Sequence, residues 1–298
     1  MTHSFRGAAA VTVDGTVVHQ IPHTATTFYS LASVGKHICA VAVLAAGLDL
    51  HRPVMHWLPD FPDARVTLHH LLSHTSGVGH WRPEIPGFDV DATLPVLERM
   101  SLLQQAPLLF EPGSSWLYSS PGYALAGRVL EVATGQDYSS YVNSQIFAPL
   151  GVASILAGDP PAGATVASGY RDGEPIETNA LSALPGTRDI WATASGLAEF
   201  STLLHSGQLL SPPTLALLGA AHYPMPRQFG LVTTSSYGYG LYSAVVDGKA
   251  ALLHPGDNPG FRTLVVWFPE PRACIALLSN EETTDPLSVL RSLLRYVP

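Results

Sequence analysis

The two ends of this chain read as strands and its middle as helices, a distribution that leaves few folds open. Residues 8–13 and 16–19 are β-rich segments on either side of Asp14-Gly15, a dipeptide that favours the tight turn of a hairpin. Near the other end, residues 237–246 and 249–254 flank Asp247-Gly248 in the same way, and the apolar runs 261–268 and 274–279 follow as further strands. The last segment predicts a helix with Asp285 as N-cap, Pro286 at the first helical position, and Leu290, Leu293, Leu294 and Val297 at helical spacing. Between these ends the pattern is helical. Leu125, Val129 and Val132 form a stripe that stops at Gly135, Asp137 precedes Tyr138, Val142 and Ile146, and Leu197, Phe200, Leu203 and Leu204 form another stripe. Residues 158–173 read as a loop, and no internal repeat is present. Strands at both ends around a helical middle predict an α+β fold, with one antiparallel sheet built from both termini, helices flanking it, and a mostly helical inserted region. The expected division puts 1–50 and 226–298 in a discontinuous sheet domain and 51–225 in a mainly helical one, with an active site in the cleft between them.

With 298 residues of which 46% are apolar, the chain can bury a substantial core. A formal net charge of −8, with no run of Lys or Arg, argues against a nucleic-acid partner or a polybasic membrane surface. Cys39 and Cys274 both lie in apolar runs and read as buried thiols. The N-terminus does not look like a secretion signal, and the longest apolar run, 38–48, is too short to span a bilayer, so the expected location is cytoplasmic.

One of only two lysines, Lys36, sits three residues after Ser33, where an extended run meets an apolar helical one. Positions i and i+3 of a helix share a face, so the amine can lie beside the serine hydroxyl and take its proton, which makes the serine a candidate nucleophile. A serine that opens a helix also lies at the positive end of the helix dipole, which favours a developing oxyanion. Gly35 counts against the motif as a poor helix residue, and lysines on first turns are common surface features.

Two other segments carry chemistry. Tyr118-Ser119-Ser120 follows a Pro/Gly/Ser loop and precedes the helix that begins near Pro121. Its tyrosine reads either as a loop anchor or as a phenol near a cationic lysine, whose charge would raise its acidity for proton transfer. His254-Pro255-Gly256-Asp257 ends a strand. Pro255 has no N–H to donate, which places that strand at a sheet edge or end, and Gly256 would let another backbone or a ligand come close. His254 reads either as a polar residue closing the strand or as part of an edge that binds an extended acyl substrate. His69, His70, His74 and His80 do not match a metal-binding pattern, and neither a Gly-x-Ser-x-Gly elbow nor a Gly-rich phosphate loop occurs.

Taken in order, Ser33-x-x-Lys36, Tyr118-Ser119-Ser120 and His254-Pro255-Gly256 resemble the serine β-lactamase and penicillin-binding family. The likeness is to its branch of class C β-lactamases, D-alanyl-D-alanine carboxypeptidases, and β-lactamase-like esterases and acyltransferases. Residues 66–77, which end in Leu71-Leu72-Ser73-His74-Thr75-Ser76-Gly77, extend the likeness, as do Glu111-Pro112-Gly113, residues 122–127 and Pro149-Leu150-Gly151-Val152. The resemblance implies the β-lactamase/transpeptidase fold, Ser33 as the acylated nucleophile, Lys36 as its proton acceptor and Tyr118 as base or proton relay. It also implies His254 lining the pocket and supporting the field around Tyr118, an oxyanion hole from the backbone N–H groups of Ser33 and Asp257, and substrate contacts at Ser120, Gly256 and Asp257. Two positions depart from the family pattern. Ser120 stands where the family usually has Asn, and Pro255 where it has Thr, Ser or Gly, and both changes argue against true β-lactamase or carboxypeptidase activity.

The function this implies is an acyl-enzyme serine hydrolase acting on a small ester or amide, with no metal, no cofactor, and neither nucleic acid nor membrane as partner. An acyltransferase or cyclase of small-molecule biosynthesis would use the same Ser33 acyl-enzyme. A non-catalytic acyl- or β-lactam-binding sensor could reuse the scaffold. The acyl group, the acceptor and the oligomeric state are not specified by the sequence.

Overall fold

The structure is a computed structural model that describes residues 5–21, 26–80, 96–105, 107–176, 185–187 and 189–298. Met1–Ser4, on which the reading of the N-terminus partly rests, lie outside the described residues. The expected sheet is present. β1 (Gly7–Val13) and β2 (Thr16–Ile21) form the N-terminal hairpin. The C-terminal part supplies β3 (Tyr223–Phe229), β4 (Val232–Tyr237), β5 (Tyr242–Val246), β6 (Lys249–Asn258), β7 (Phe261–Phe268) and β8 (Ala273–Ser279). They make one eight-stranded antiparallel sheet in the order β2-β1-β8-β7-β6-β5-β4-β3. The two ends of the chain meet where β1 pairs with β8, from Gly7 opposite Ser279 to Val13 opposite Ala273. Both Asp-Gly dipeptides turn their hairpins with positive φ at each residue, 47° and 78° at Asp14-Gly15 and 48° and 82° at Asp247-Gly248, the geometry that matches the twist of two-residue hairpins.

Alternation along the central strands sends side chains to two cores. Ala8, Ala10, Cys274, Ala276 and Leu278 belong to one core with α1 (Gly35–Ala45), α2 (Leu68–Leu72) and α4 (Ala194–His205). Ala9, Val11, Ile275 and Leu277 pack with Leu290 and Leu293 of α5 (Pro286–Leu293). The helix starts are those foreseen: Asp285 caps α5 by accepting the Leu287 N–H at 3.0 Å, and α3 (Ser120–Thr134) ends at Gly135 with φ 68°. Cys39 and Cys274 are buried and form no disulfide.

Three expectations need correction. The run 237–246 is not one strand, because a turn at 238–241 separates β4 from β5. Gly240 takes φ 72° there, and a Cβ on it would lie 2.7 Å from His37 Cα, so the turn presses on the backbone of α1. β3 and β4 were not foreseen at all. On α3, Val132 is 42% exposed while Leu130 is fully buried, so the inward stripe runs through Leu125, Val129 and Leu130.

Candidate active site

Ser33 sits in a single 3-10 turn, Ala32–Val34, that runs into α1. The turn is fixed from three sides. Leu31 N–H donates to Ile190 O at 2.9 Å, from the three-stranded sheet formed by Tyr29–Ser30, Ile155–Ala157 and Ile190–Ala192. Thr263 Oγ1 on β7 donates to Leu31 O at 2.8 Å. Gly256, opposite Thr263 in the β6–β7 pairing, leaves the room for this contact. Ala32 is held at φ 50°, a left-handed conformation that costs a non-glycine residue about 1–3 kcal/mol and persists only where the surroundings over-determine it. Gly35 has a packing reason: a Cβ there would lie 3.3 Å from Ile190 Cγ1. The expected pairing of serine and amine is present, with Lys36 Nζ donating to Ser33 Oγ at 3.0 Å. Lys36 is fully buried, its ammonium 5.0 Å from the centroid of the Tyr118 ring and 5.9 Å from that of Tyr123.

Tyr118 is half-buried, and its hydroxyl lies near enough to the Ser33 side chain for that group to favour its ionised form. Burial pushes its pKa far above the ordinary 10, outweighing the lowering by the Ser33 side chain, and the Tyr242 phenol adds to the rise. Tyr118 is therefore a protonated phenol at neutral pH.

His254 is buried on β6, its ring centroid 6.2 Å from that of Tyr118. Its Nδ1 lies 2.6 Å from Pro255 O, which can only accept, so Nδ1 carries the proton and Nε2 faces the Tyr237 hydroxyl at 3.3 Å. Burial first, then the Lys36 charge, brings its pKa down to about 3. His254 is thus neutral and supplies no cationic field at Tyr118. The placement of β6 also differs from expectation, since it lies inside the sheet between β5 and β7. The β5 pairing stops at Leu253, however, so Pro255 falls beyond it and interrupts no ladder on that side.

Ser120 is buried as the first residue of α3, next to Ser119, which is the actual N-cap and accepts the Gly122 N–H at 2.9 Å. Gly256 accommodates backbone: a Cβ on it would lie 2.6 Å from Leu31 O. The Asp257 side chain is 71% exposed and pairs with Arg262. Ser33, Lys36, Tyr118 and His254 therefore converge, with Ser120 one residue beyond the Tyr118–Ser119 bend. A cavity of about 340 Å³ lined by Leu253, Pro255, Tyr242 and Met225 takes in the residues that alternate with His254 along β6. Their side chains project to the opposite face of the sheet, so this cavity is not the site of the Ser33 cluster.

Sequence reasoning missed the packing around Tyr118. The His74 ring lies 4.5 Å from that of Tyr118, 4.8 Å from Tyr237 and 5.1 Å from Tyr123, and His80 meets Tyr118 edge-on at 5.5 Å. Among the described residues, no group of three or more His, Cys, Asp or Glu is arranged to hold a metal ion.

Comparison with known proteins agrees with this geometry. The family model described as Beta-lactamase matches residues 1–295, and the chain belongs to that family. It is 37% identical to esterase EstB of Burkholderia gladioli over 183 residues, 52% of this chain and 44% of that protein. It is 24% identical to penicillin-binding protein 4* of Bacillus subtilis (strain 168) over 94% of this chain and 69% of that one. In structure it resembles D-amino acid amidase from Ochrobactrum anthropi SV3, with a TM-score of 0.82 and 25% identity, covering 97% of this chain and 93% of that chain. The matched region spans less than half the length of the esterase.

Proposed function

We propose that this chain is a serine hydrolase that cleaves a small ester or amide through an acyl-enzyme on Ser33. The observation that carries the reading is Lys36 Nζ at 3.0 Å from Ser33 Oγ, with the centroid of the Tyr118 ring 5.0 Å from the same nitrogen. In the reaction, Lys36, a cation at rest, first gives up a proton, and its amine then accepts the Ser33 proton as Ser33 Oγ attacks the substrate carbonyl. The tetrahedral intermediate collapses as its leaving alcohol or amine takes a proton relayed through the Tyr118 hydroxyl. Water then attacks the acyl-serine, giving up a proton along the same route and returning one to Ser33 Oγ. Because burial holds Tyr118 protonated, it serves as a relay rather than as a resident phenolate base. Similarity to an esterase and to a D-amino acid amidase supports ester or amide as the substrate class. The proposal includes reaction in a cleft between a sheet part (1–50 and 226–298) and a helical part (51–225), with oxyanion donors from the backbone of Ser33 and Asp257, and a cytoplasmic location. Among the described residues no helix is long and apolar enough to cross a membrane.

The test is intact-mass spectrometry after exposure to a fluorophosphonate or an activated ester. One adduct on the wild type and none on Ser33→Ala is the expected result. An unchanged adduct yield in the variant refutes the assignment.

A further inference from the structure

The loop that carries Tyr118 is gripped by two histidines from one other segment. His74 brackets the tyrosine: its carbonyl accepts the Leu117 N–H at 3.0 Å, and its Nδ1 accepts the Ser119 N–H at 3.1 Å. His80 Nδ1 accepts the next amide, Ser120 N–H, at 3.2 Å. The same two segments are tied by Ser119 Oγ donating to Gly79 O at 2.9 Å and by Gly113 N–H donating to Thr75 O at 2.7 Å. His74 is buried and held at φ 62°, a left-handed conformation sparsely populated outside glycine and asparagine. That strain turns both its carbonyl and its ring towards residues 117–119.

We propose that His74 and His80 are positioning residues which, as neutral imidazoles accepting through Nδ1, hold Tyr118 in register with Ser33 and Lys36. The proposal rests on the reading of Tyr118 as the proton-transfer group. An amide N–H can be accepted only by an unprotonated nitrogen, so each ring must carry its single proton on Nε2. The surroundings favour that form. His74 faces Lys36, His254, His80, Tyr118, Tyr123 and Tyr237, and His80 faces Lys36, His74 and Tyr118, so each ring has the Lys36 cation nearby. Burial and that cation hold both imidazoles below their ordinary pKa. Misplacing a reacting group by about 1 Å costs on the order of 10²-fold in rate, so the amides that follow Tyr118 act on the chemistry without touching substrate.

Asparagine places Oδ1 where Nδ1 sits, accepts an amide N–H and tolerates left-handed backbone. The experiment measures kcat and KM on a p-nitrophenyl ester for His80→Ala, His80→Asn, His74→Asn and Tyr118→Phe, and for His80→Ala combined with Tyr118→Phe. Circular dichroism confirms the fold of each. The expected result is that His80→Ala lowers kcat about 10- to 100-fold with KM little changed, while His80→Asn and His74→Asn stay within a few-fold of wild type. In the Tyr118→Phe background His80→Ala should have no further effect, because the group it positions is gone. An additive loss in the double variant, a change in KM alone, or asparagine variants as impaired as alanine would overturn the positioning role. A Tyr118→Phe variant as active as wild type would instead overturn the relay reading, and the positioning role with it.

Discussion

Gly256 meets Leu31 where a side chain would be: a Cβ on Gly256 would lie 2.6 Å from the Leu31 carbonyl oxygen and 2.0 Å from Thr263 Oγ1, which itself donates to that oxygen. The strand that bears His254 and the turn that bears Ser33 are thereby in backbone contact, and the distance between two candidate site residues depends on an absent methyl group.

Gly256→Ala should therefore act on stability and activity together. Forcing a methyl into this contact costs about 1–3 kcal/mol by overpacking, and it displaces either Thr263 or the Ser33 turn. Thermal unfolding and kcat on a p-nitrophenyl ester check this. A variant with wild-type Tm and kcat would show that the strand and the turn separate freely.

Tyr118→Phe removes one hydroxyl, on the ring that lies beside Lys36. Turnover should fall about 10²-fold or more with the fold intact, the usual scale for losing a positioned proton-transfer group. Because burial keeps this phenol protonated, ultraviolet difference titration of wild type and variant should coincide up to a pH of about 10.0, the ordinary phenol value. A tyrosinate signal present only in the wild type below that pH would contradict the raised value.

Nitrocefin should be a poor substrate beside p-nitrophenyl acetate and butyrate. Ser120 is buried, and its short side chain cannot offer both an amide donor and a carbonyl to the acylamide arm of a β-lactam. Losing a positioning contact can cost orders of magnitude with the nucleophile untouched. The measurement is kcat/KM for each substrate, with Ser120→Asn as probe. Improvement confined to nitrocefin in that variant supports the argument, and efficient nitrocefin turnover by the wild type sinks it.

Stability should decline as pH falls below about 6.5. His37 is buried and His205 half-buried, with ring centroids 6.0 Å apart, packed on Phe200 and Trp267 respectively. Burial lowers their pKa from 6.5 to about 4 and about 3. The unfolded chain takes up these protons first, so the stabilisation is fully present above about 6.5 and is lost as pH falls towards the folded values. Each histidine contributes a slope of about 1.4 kcal/mol per pH unit within that window. Urea unfolding at several pH values should show the slope, and His205→Phe, which keeps a ring on Trp267, should reduce it by about one proton. An unchanged slope in the variant would place the sensitivity elsewhere.

The parts legible in the sequence are those that local chemistry specifies. Asp14-Gly15 and Asp247-Gly248 turn their hairpins because so few residues accept positive φ in succession, and Asp285-Pro286 starts a helix because a cap and a proline suit its first turn. The same holds for Ser33 and Lys36, three residues apart on one turn. The strand 237–246 was misread because its break at 238–241 packs against α1, a contact with no trace in β-propensity. β3 and β4 carry Pro224, Pro226 and many polar residues, which hide them from a pattern search.

By itself, then, the sequence determined the local grammar of this protein: strands at the two ends, helices between, a serine with an amine one turn away, and an ordered set of three motifs that pointed to its family. Only the tertiary structure decided the state of those groups. Tyr118 is protonated because desolvation outweighs the lowering by the Ser33 side chain, and His254 is neutral because desolvation and the Lys36 charge act in the same direction. The grip of His74 and His80 on the amides after Tyr118 joins residues 45 and 40 positions apart. A hydrogen bond to a distant backbone N–H leaves no spacing or composition for a sequence to display.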